Sequence, residues 1–300
     1  GPAFVRRRPV VCLPGTTQNS QEFDDLAMVL CRAGALARDV YALDYRGRGR
    51  SDHDADWRNY TPYFEMLDVL DFLAMARLHD VALVGTSRGG IIAMIMGAVR
   101  PAAIGAVVLN DIGPVIEPSG WMRQMGRVGR IPTPKSWKEA ARFVLEIEKD
   151  NYPRLTEEQW ARLARQRYFE YDGAPAPSYD ANISRAFSLG SMASGLPSLW
   201  PQFRSLCRVP VLVVRGEISD VLAASTVREM ECVHPQLRSL VVPGQGHAPL
   251  LNDAPSTTAI ETFLAETDGH RDRDRAALEA DRPQTGTVDA PDRLLWAAGA

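Results

Sequence analysis

The sequence predicts an α/β protein with a mostly parallel, doubly wound sheet and a helical cap inserted into it. Three observations lead there. Short apolar runs alternate with helical stretches over the first 110 residues. Those runs are continuously apolar rather than alternating with polar residues, the mark of strands covered on both faces. The rhythm then breaks between about residues 114 and 200, where Pro, Trp and Arg-rich helical stretches replace it, and resumes afterwards.

The elements follow in order. Pro9–Leu13 (PVVCL) reads as a buried strand ended by the turn pair Pro14-Gly15. Phe23–Arg32 reads as a helix and Val40–Leu43 as a second strand, followed by the polar, Gly-rich loop Asp44–Asp52 (DYRGRGRSD). Tyr63, Met66, Leu67, Leu70, Leu73 and Ala74 fall at helical spacing. Val81–Gly85 (VALVG) is a buried strand, Ile91–Val99 an apolar helix stopped by Pro101, and Ala106–Leu109 another strand. In the inserted segment, Trp137–Glu148 and Glu157–Tyr168 read as helices, with no clear strand. The α/β pattern returns with a strand at Val209–Val214, a helix near Ala223–Cys232, a strand at Leu237–Val242 and a helix at Thr257–Leu264. The expected organisation is a core from residues 1–112 and 201–267, a helical cap from 113–200 and a polar, loosely ordered tail from 268–300, within which Leu294–Trp296 has the apolar character to dock.

Composition narrows the function classes. Apolar residues make up 45% and charged residues 24%, enough to build a sizeable core. The formal net charge of −3 gives no electrostatic case for nucleic acid or an anionic membrane, so a small-molecule substrate is expected. Of 34 basic residues only Lys135, Lys138 and Lys149 are lysines, which points with the high Ala content to a GC-rich, bacterial genome. Cys12, Cys31, Cys207 and Cys232 are dispersed, as expected for reduced thiols of a cytoplasmic protein. The five histidines have no metal-ligand spacing, so neither metal nor cofactor is expected. No apolar run reaches the length of a membrane span, and the start lacks the apolar stretch of a signal peptide. Oligomeric state is open, a homodimer included.

The sharpest chemical signal is Gly85-Thr86-Ser87-Arg88-Gly89, a G-x-S-x-G pattern with a buried strand before it and an apolar helix after it. That context places Ser87 on a strained strand-to-helix turn with its hydroxyl held out of the sheet, and side chains at 85 and 89 would collide with such a turn. A serine needs a base to act as a nucleophile. His247, in the Gly-rich loop after the strand ending at Val242, is the candidate, while His53, His79 and His234 read as surface residues. A carboxylate must then fix the imidazole. Asp220, in the loop after the strand Val209–Val214, is the first choice. Glu217 in the same loop and Asp111 after the preceding strand are the alternatives. The oxyanion hole is expected from the backbone N–H groups of Arg88 and Thr16.

Taken together, LPGTTQN, DYRGRGRSD, VGTSRGG, LNDIGP, VRGEISDVL and GQGHAPLL resemble the α/β-hydrolase superfamily, in its helically capped branch, over about residues 9–265. The order Ser87, Asp220, His247 matches that family's order. The resemblance implies a cofactor-free serine hydrolase. Members with this look are mostly esterases and lactonases, and others cleave carbon–carbon bonds, amides of N-terminal proline, or act as cofactor-free haloperoxidases. Serine at 87 speaks against the dehalogenase and epoxide-hydrolase relatives, which carry Asp there. The expected reaction is hydrolysis of a small carboxylic ester or lactone, with carbon–carbon cleavage or another acyl transfer on the same residues as the alternative and a non-catalytic binding role behind both. The departures are three: only eight residues precede the PVVCLPG strand where the family has a hairpin, LPG replaces a His-Gly pair, and Arg88 is bulky for its place. Substrate choice is expected to depend on cap residues such as Trp121, Met122, Met125 and Trp137. The cap arginines (Arg123, Arg127, Arg130, Arg142, Arg154, Arg162, Arg165, Arg167) are read first as a solvated face and second as carboxylate binders.

Overall fold

The computed structural model describes residues 7–32, 34–186 and 197–280. Six parallel strands form the central sheet: β1 (Val10–Leu13), β2 (Val40–Ala42), β3 (Val81–Thr86), β4 (Ile104–Asn110), β7 (Val211–Gly216) and β8 (Leu237–Val242), in the spatial order β2-β1-β3-β4-β7-β8. Every residue of β1, β3 and β4 is buried. The two-residue period of a strand sends alternate side chains into two cores. Val11, Leu13, Val81, Leu83, Val107, Leu109, Val211 and Val213 pack into one, and Val10, Cys12, Ala82, Val84, Ala106, Val108, Leu212 and Val214 into the other. Both faces are therefore apolar, which is why the runs read as continuous rather than alternating.

Helices cover the two faces. α1 (Asp24–Arg32) and α10 (Ala254–Ala280) supply Leu26, Leu30, Ile260, Phe263 and Leu264 to the second core. α2 (Pro62–Met75), α3 (Arg88–Val99), α8 (Trp200–Ser205) and α9 (Ala224–Val233) cover the first. α2 starts where it does because Thr61 accepts from the Phe64 amide as N-cap and Pro62 opens the helix. The crossovers align the carboxyl ends of the central strands: Leu13 pairs with Gly85, Thr86 with Asn110, and Asn110 with Val214. Loops leaving that edge converge on one place.

The inserted segment forms α4 (Pro118–Met125), α5 (Trp137–Glu148), α6 (Glu157–Arg167) and α7 (Ile183–Ala186), with its own small core around Val144, Trp160 and Tyr168. A capping box between Thr156 and Gln159 fixes the start of α6. The segment also contains an antiparallel hairpin that the sequence did not signal, β5 (Tyr168–Tyr171) and β6 (Ala174–Pro177). Its second strand carries two prolines, which suit an edge and obscure a strand pattern. The cap is stitched to the loop after β2: Gly49 N–H donates to the Ser178 carbonyl (2.7 Å), Asp180 N–H to the Gly47 carbonyl (2.8 Å), and the Tyr60 hydroxyl to Asp180 Oδ2 (2.6 Å).

α10 runs past the boundary read at 268: buried Asp268 accepts from Arg38 Nη2 at 3.0 Å, and the helix continues to Ala280. Residues 281–300, with Leu294–Trp296, lie outside the described residues. His234 is not a surface residue. It is buried against Phe203, with Nε2 3.0 Å from the Leu206 carbonyl and Nδ1 accepting from the Gln236 amide. His53 and His79 are exposed. All four cysteines are free thiols.

Candidate active site

Ser87 stands between β3 and α3 with φ 50° and ψ −109°, a left-handed backbone strained for a residue with a Cβ. The glycines around it are sterically required. A Cβ on Gly85 would lie 2.5 Å from the backbone of Gly89 and Gly90, and one on Gly89 would collide with the Leu13 carbonyl. The hydroxyl is thereby held at the head of α3, where the helix dipole favours negative charge. Asp111, after β4, also has positive φ, at 55°.

Three side chains form a continuous hydrogen-bonded line. Ser87 Oγ lies 2.9 Å from His247 Nε2, and His247 Nδ1 lies 2.8 Å from Asp111 Oδ2. Asp111 is wholly buried, and its carboxylate also accepts from the Gly216 amide at 2.8 Å and the Ser219 hydroxyl at 2.5 Å. Those donors disperse its charge without neutralising it. The geometry fits an imidazole able to take a proton from Ser87 while a carboxylate steadies the resulting cation.

The expectation that Asp220 orients His247 is not met. Asp220 accepts from Arg123 of α4 at 2.5 and 2.6 Å, and a Cβ on Gly120 of the same helix would meet the Asp220 backbone. Burial works to raise its pKa, but the hydrogen bonds and charge of Arg123 prevail and hold it below the usual carboxylate value. The loop after β7 sends Ser219 and Gly216 towards the histidine's partner and turns Asp220 to the cap. Glu217, the other alternative, accepts from the Gly244 amide at 2.7 Å and so braces the loop that carries His247.

The loop expected to supply an oxyanion donor runs from Leu13 to Gln18. Within it the Gly15 amide is directed at Glu22 (3.4 Å) and the Thr17 amide at Gln18 Oε1 (3.2 Å), whereas the Thr16 amide has no acceptor among the described residues. Thr16 and Arg88 both line the cavity beside Ser87. The bulk of Arg88 is absorbed by burial. Its guanidinium bonds Glu65 of α2 at 2.5 and 3.0 Å and the Tyr60 carbonyl at 2.8 Å. Glu65, also fully buried, binds Arg48 at 2.7 Å, and Arg48 Nε donates to the Thr16 carbonyl at 3.0 Å. One carboxylate thus ties together both backbone segments of the expected oxyanion hole. Only Arg88 drew attention in the sequence. Arg48 sits in the Gly-rich loop read there as polar, and Glu65 on a helix read only as amphipathic.

Asn110 is a further contributor that the sequence did not single out. Its amide donates to the Thr86 hydroxyl at 3.1 Å and the Pro249 carbonyl at 2.9 Å, tying the histidine loop to the sheet edge. Above these residues lies a cavity of about 270 Å³. Its apolar wall includes Ile91, Ile112, Trp121, Met125 and Val128, and its polar lining includes Glu22, Tyr152 and Arg167. Of the four cap residues named from the sequence, Trp121 and Met125 reach it, while Met122 is 57% exposed and Trp137 packs in the cap under Arg165. Burial raises the Glu22 pKa, with Arg167 pulling the other way, and burial also pushes the Tyr152 hydroxyl up while it donates to the Ala248 carbonyl at 2.7 Å. No cluster of three or more His, Cys, Asp or Glu that could hold a metal occurs among the described residues.

A parallel sheet with a serine on a strained strand-to-helix turn, a histidine in a late loop and a cap over both defines an α/β-type hydrolase. Residues 10–261 match the model of the alpha/beta hydrolase family, and the chain belongs to that family. It is similar to a 3-hydroxybutyrate-oligomer hydrolase from Cupriavidus necator, 32% identical over 84% of this chain and 86% of the relative. It is also similar to a 2-(acetamidomethylene)succinate hydrolase from Mesorhizobium japonicum, 28% identical over 78% of this chain and 79% of the relative. Among solved structures it resembles an alpha/beta hydrolase from Novosphingobium aromaticivorans, 37% identical with a TM-score of 0.79, covering 86% of this chain and 90% of that one. The protein is a hydrolase. No helix among the described residues is long and apolar enough to cross a membrane.

Proposed function

We propose that this hydrolase cleaves a carboxylic ester of a small hydroxy acid through an acyl-enzyme on Ser87. The observation that carries the reading is the unbroken line Ser87–His247–Asp111 opening into a cavity with an apolar wall. In this reading His247 Nε2 takes the hydroxyl proton as Ser87 Oγ attacks the ester carbonyl. The oxyanion is held by the Arg88 and Thr16 amides. The imidazolium, steadied by Asp111, then protonates the leaving alkoxide, and the alcohol departs. Water enters, gives a proton to the same histidine and attacks the acyl carbon, and collapse of the second intermediate returns the proton to Ser87 and frees the acid. The similarity to a 3-hydroxybutyrate-oligomer hydrolase supports a short hydroxy-acid ester as substrate, and the cavity suits a chain of few atoms.

The test is Ser87→Ala against p-nitrophenyl butyrate and the 3-hydroxybutyrate dimer, together with fluorophosphonate labelling. Turnover is expected to fall by about 10³-fold or more, and the label to vanish. Unchanged turnover on both substrates would remove Ser87 from the mechanism.

A further inference from the structure

The arginines of the cap do not share one role. Arg123 is spent on Asp220, Arg127 on Glu148, Arg142 on Glu139 and Glu146, and Arg162 on Asp25, while Arg165 stacks on Trp137. Arg167 differs from all of these. It is half-buried at the end of α6, it lines the same cavity as Ser87 and His247, and it forms no ion pair within 4.0 Å among the described residues.

Its placement is fixed by the core. The Arg167 carbonyl accepts from the Ser178 hydroxyl at 2.9 Å, and the neighbouring Gln166 carbonyl accepts from Asn19 Nδ2 at 2.8 Å, just beyond the oxyanion loop. The backbone that carries this guanidinium is therefore tied to the loop that carries the Thr16 amide. The other guanidinium lining the cavity, Arg88, is consumed by Glu65 and the Tyr60 carbonyl. Glu22, the carboxyl group in the wall, is directed at the Gly15 amide and interacts with Thr86, and burial raises its pKa while the Arg167 charge, more than 4.0 Å away, opposes the rise. A guanidinium lining a largely apolar cavity, with Glu22 acting on it only from beyond 4.0 Å, is incompletely compensated, and an anionic ligand would supply what it lacks.

We propose that Arg167 binds the free carboxylate of the substrate, so that the enzyme prefers esters that end in a carboxylate, such as acid-terminated hydroxy-acid oligomers, over their neutral counterparts. The inference deepens the ester-hydrolase reading and rests on it. Arginine offers the planar pair of N–H donors that a carboxylate accepts in parallel, which a lysine point charge reproduces only in part.

The experiment compares the 3-hydroxybutyrate dimer with its methyl ester, following cleavage of the internal ester bond, in the wild type, Arg167→Gln and Arg167→Lys. The wild type is expected to favour the free acid. The acid-to-methyl-ester ratio of kcat/KM should fall about tenfold to a hundredfold in Arg167→Gln, mainly through KM, and recover in part in Arg167→Lys. Fluorophosphonate labelling of Ser87 reports whether each variant keeps a folded site. A ratio that stays within about twofold in a labelled Arg167→Gln protein, or a wild type that favours the methyl ester, overturns the carboxylate role and leaves the ester-hydrolase reading standing. If the wild type cleaves neither substrate, the ester reading fails, and the carboxylate role is decided by melting temperature in millimolar 3-hydroxybutyrate. A rise in the wild type that Arg167→Gln loses supports it, and no rise overturns it.

Discussion

β4 and β7 are neighbours in the sheet, and each is followed by an aspartate near its carboxyl end. Asp111 follows β4 directly and accepts from an imidazole, a hydroxyl and an amide, all in a buried site. Asp220 comes four residues after β7, beyond a turn that spends Ser219 on Asp111, and is bound by a guanidinium whose charge it must balance. A carboxylate already matched to an arginine is a weak support for a histidine cation elsewhere. The two are separable by amide substitution, which keeps shape and removes charge. Asp111→Asn is expected to lower kcat by about 10³–10⁴-fold, because the histidine loses both its tautomer and its counter-charge. Asp220→Asn should keep turnover within about tenfold, since it removes a partly exposed ion pair between cap and core. Steady-state kinetics on p-nitrophenyl butyrate measures both, and a reversed order would return the role to Asp220.

At the scale of elements, the cluster Arg48–Glu65–Arg88 joins the loop after β2, helix α2 and the first turn of α3. Two guanidinium groups share one carboxylate away from solvent, and Arg48 also lies 5.5 Å over the Tyr60 ring. Burial lowers the Arg48 pKa and Glu65 opposes that, as expected of a cation kept charged by its partner. Such clusters add little net stability over an apolar replacement, but removing one partner leaves buried charge unmatched. Glu65→Gln is accordingly expected to lower the unfolding free energy by about 3–5 kcal/mol in urea titrations. In the fraction that remains folded, kcat should fall more than KM rises, because Arg48 holds the Thr16 carbonyl and Arg88 carries the second of the two proposed oxyanion donors. A Glu65→Gln protein with wild-type stability would show that the three groups do not act as a unit.

For the whole molecule, pH dependence has an identifiable contributor outside the cavity lining. His234 is held neutral: Nε2 donates to the Leu206 carbonyl and Nδ1 accepts from the Gln236 amide. Burial lowers its pKa from the ordinary 6.5, outweighing the backbone hydrogen bonds. The folded state thus binds this proton more weakly than the unfolded state does. The associated stability is present above pH 6.5 and is lost as pH falls through the folded value. The slope from this one proton is at most about 1.4 kcal/mol per pH unit. Chemical denaturation between pH 7.5 and 4.5 should show this slope in the wild type and lose it in His234→Gln. A slope retained in that variant would assign it to other groups.

The sheet, its helices and the position of Ser87 were legible in the sequence because each depends on local rules. Strands buried on both faces must be apolar throughout, amphipathic helices keep their spacing, and a strained turn before a helix demands small residues at Gly85 and Gly89. His247 was legible for a related reason, since it follows the last strand in a Gly-rich loop. The partner of that histidine was not. Asp111, Asp220 and Glu217 all lie close after strands that end at the same edge, and sequence order cannot say which loop bends towards the imidazole and which towards the cap. Tertiary packing decided it: α4 presses on the Asp220 backbone and brings Arg123 with it, leaving Asp111 beneath His247. The same holds for Arg167, one of eight similar arginines until the fold pairs or stacks most of its neighbours and leaves it facing the cavity. Local propensity determined where the elements and the serine stand. Long-range neutralisation of buried charge, which requires knowing what is adjacent in space, determined which charged groups surround it.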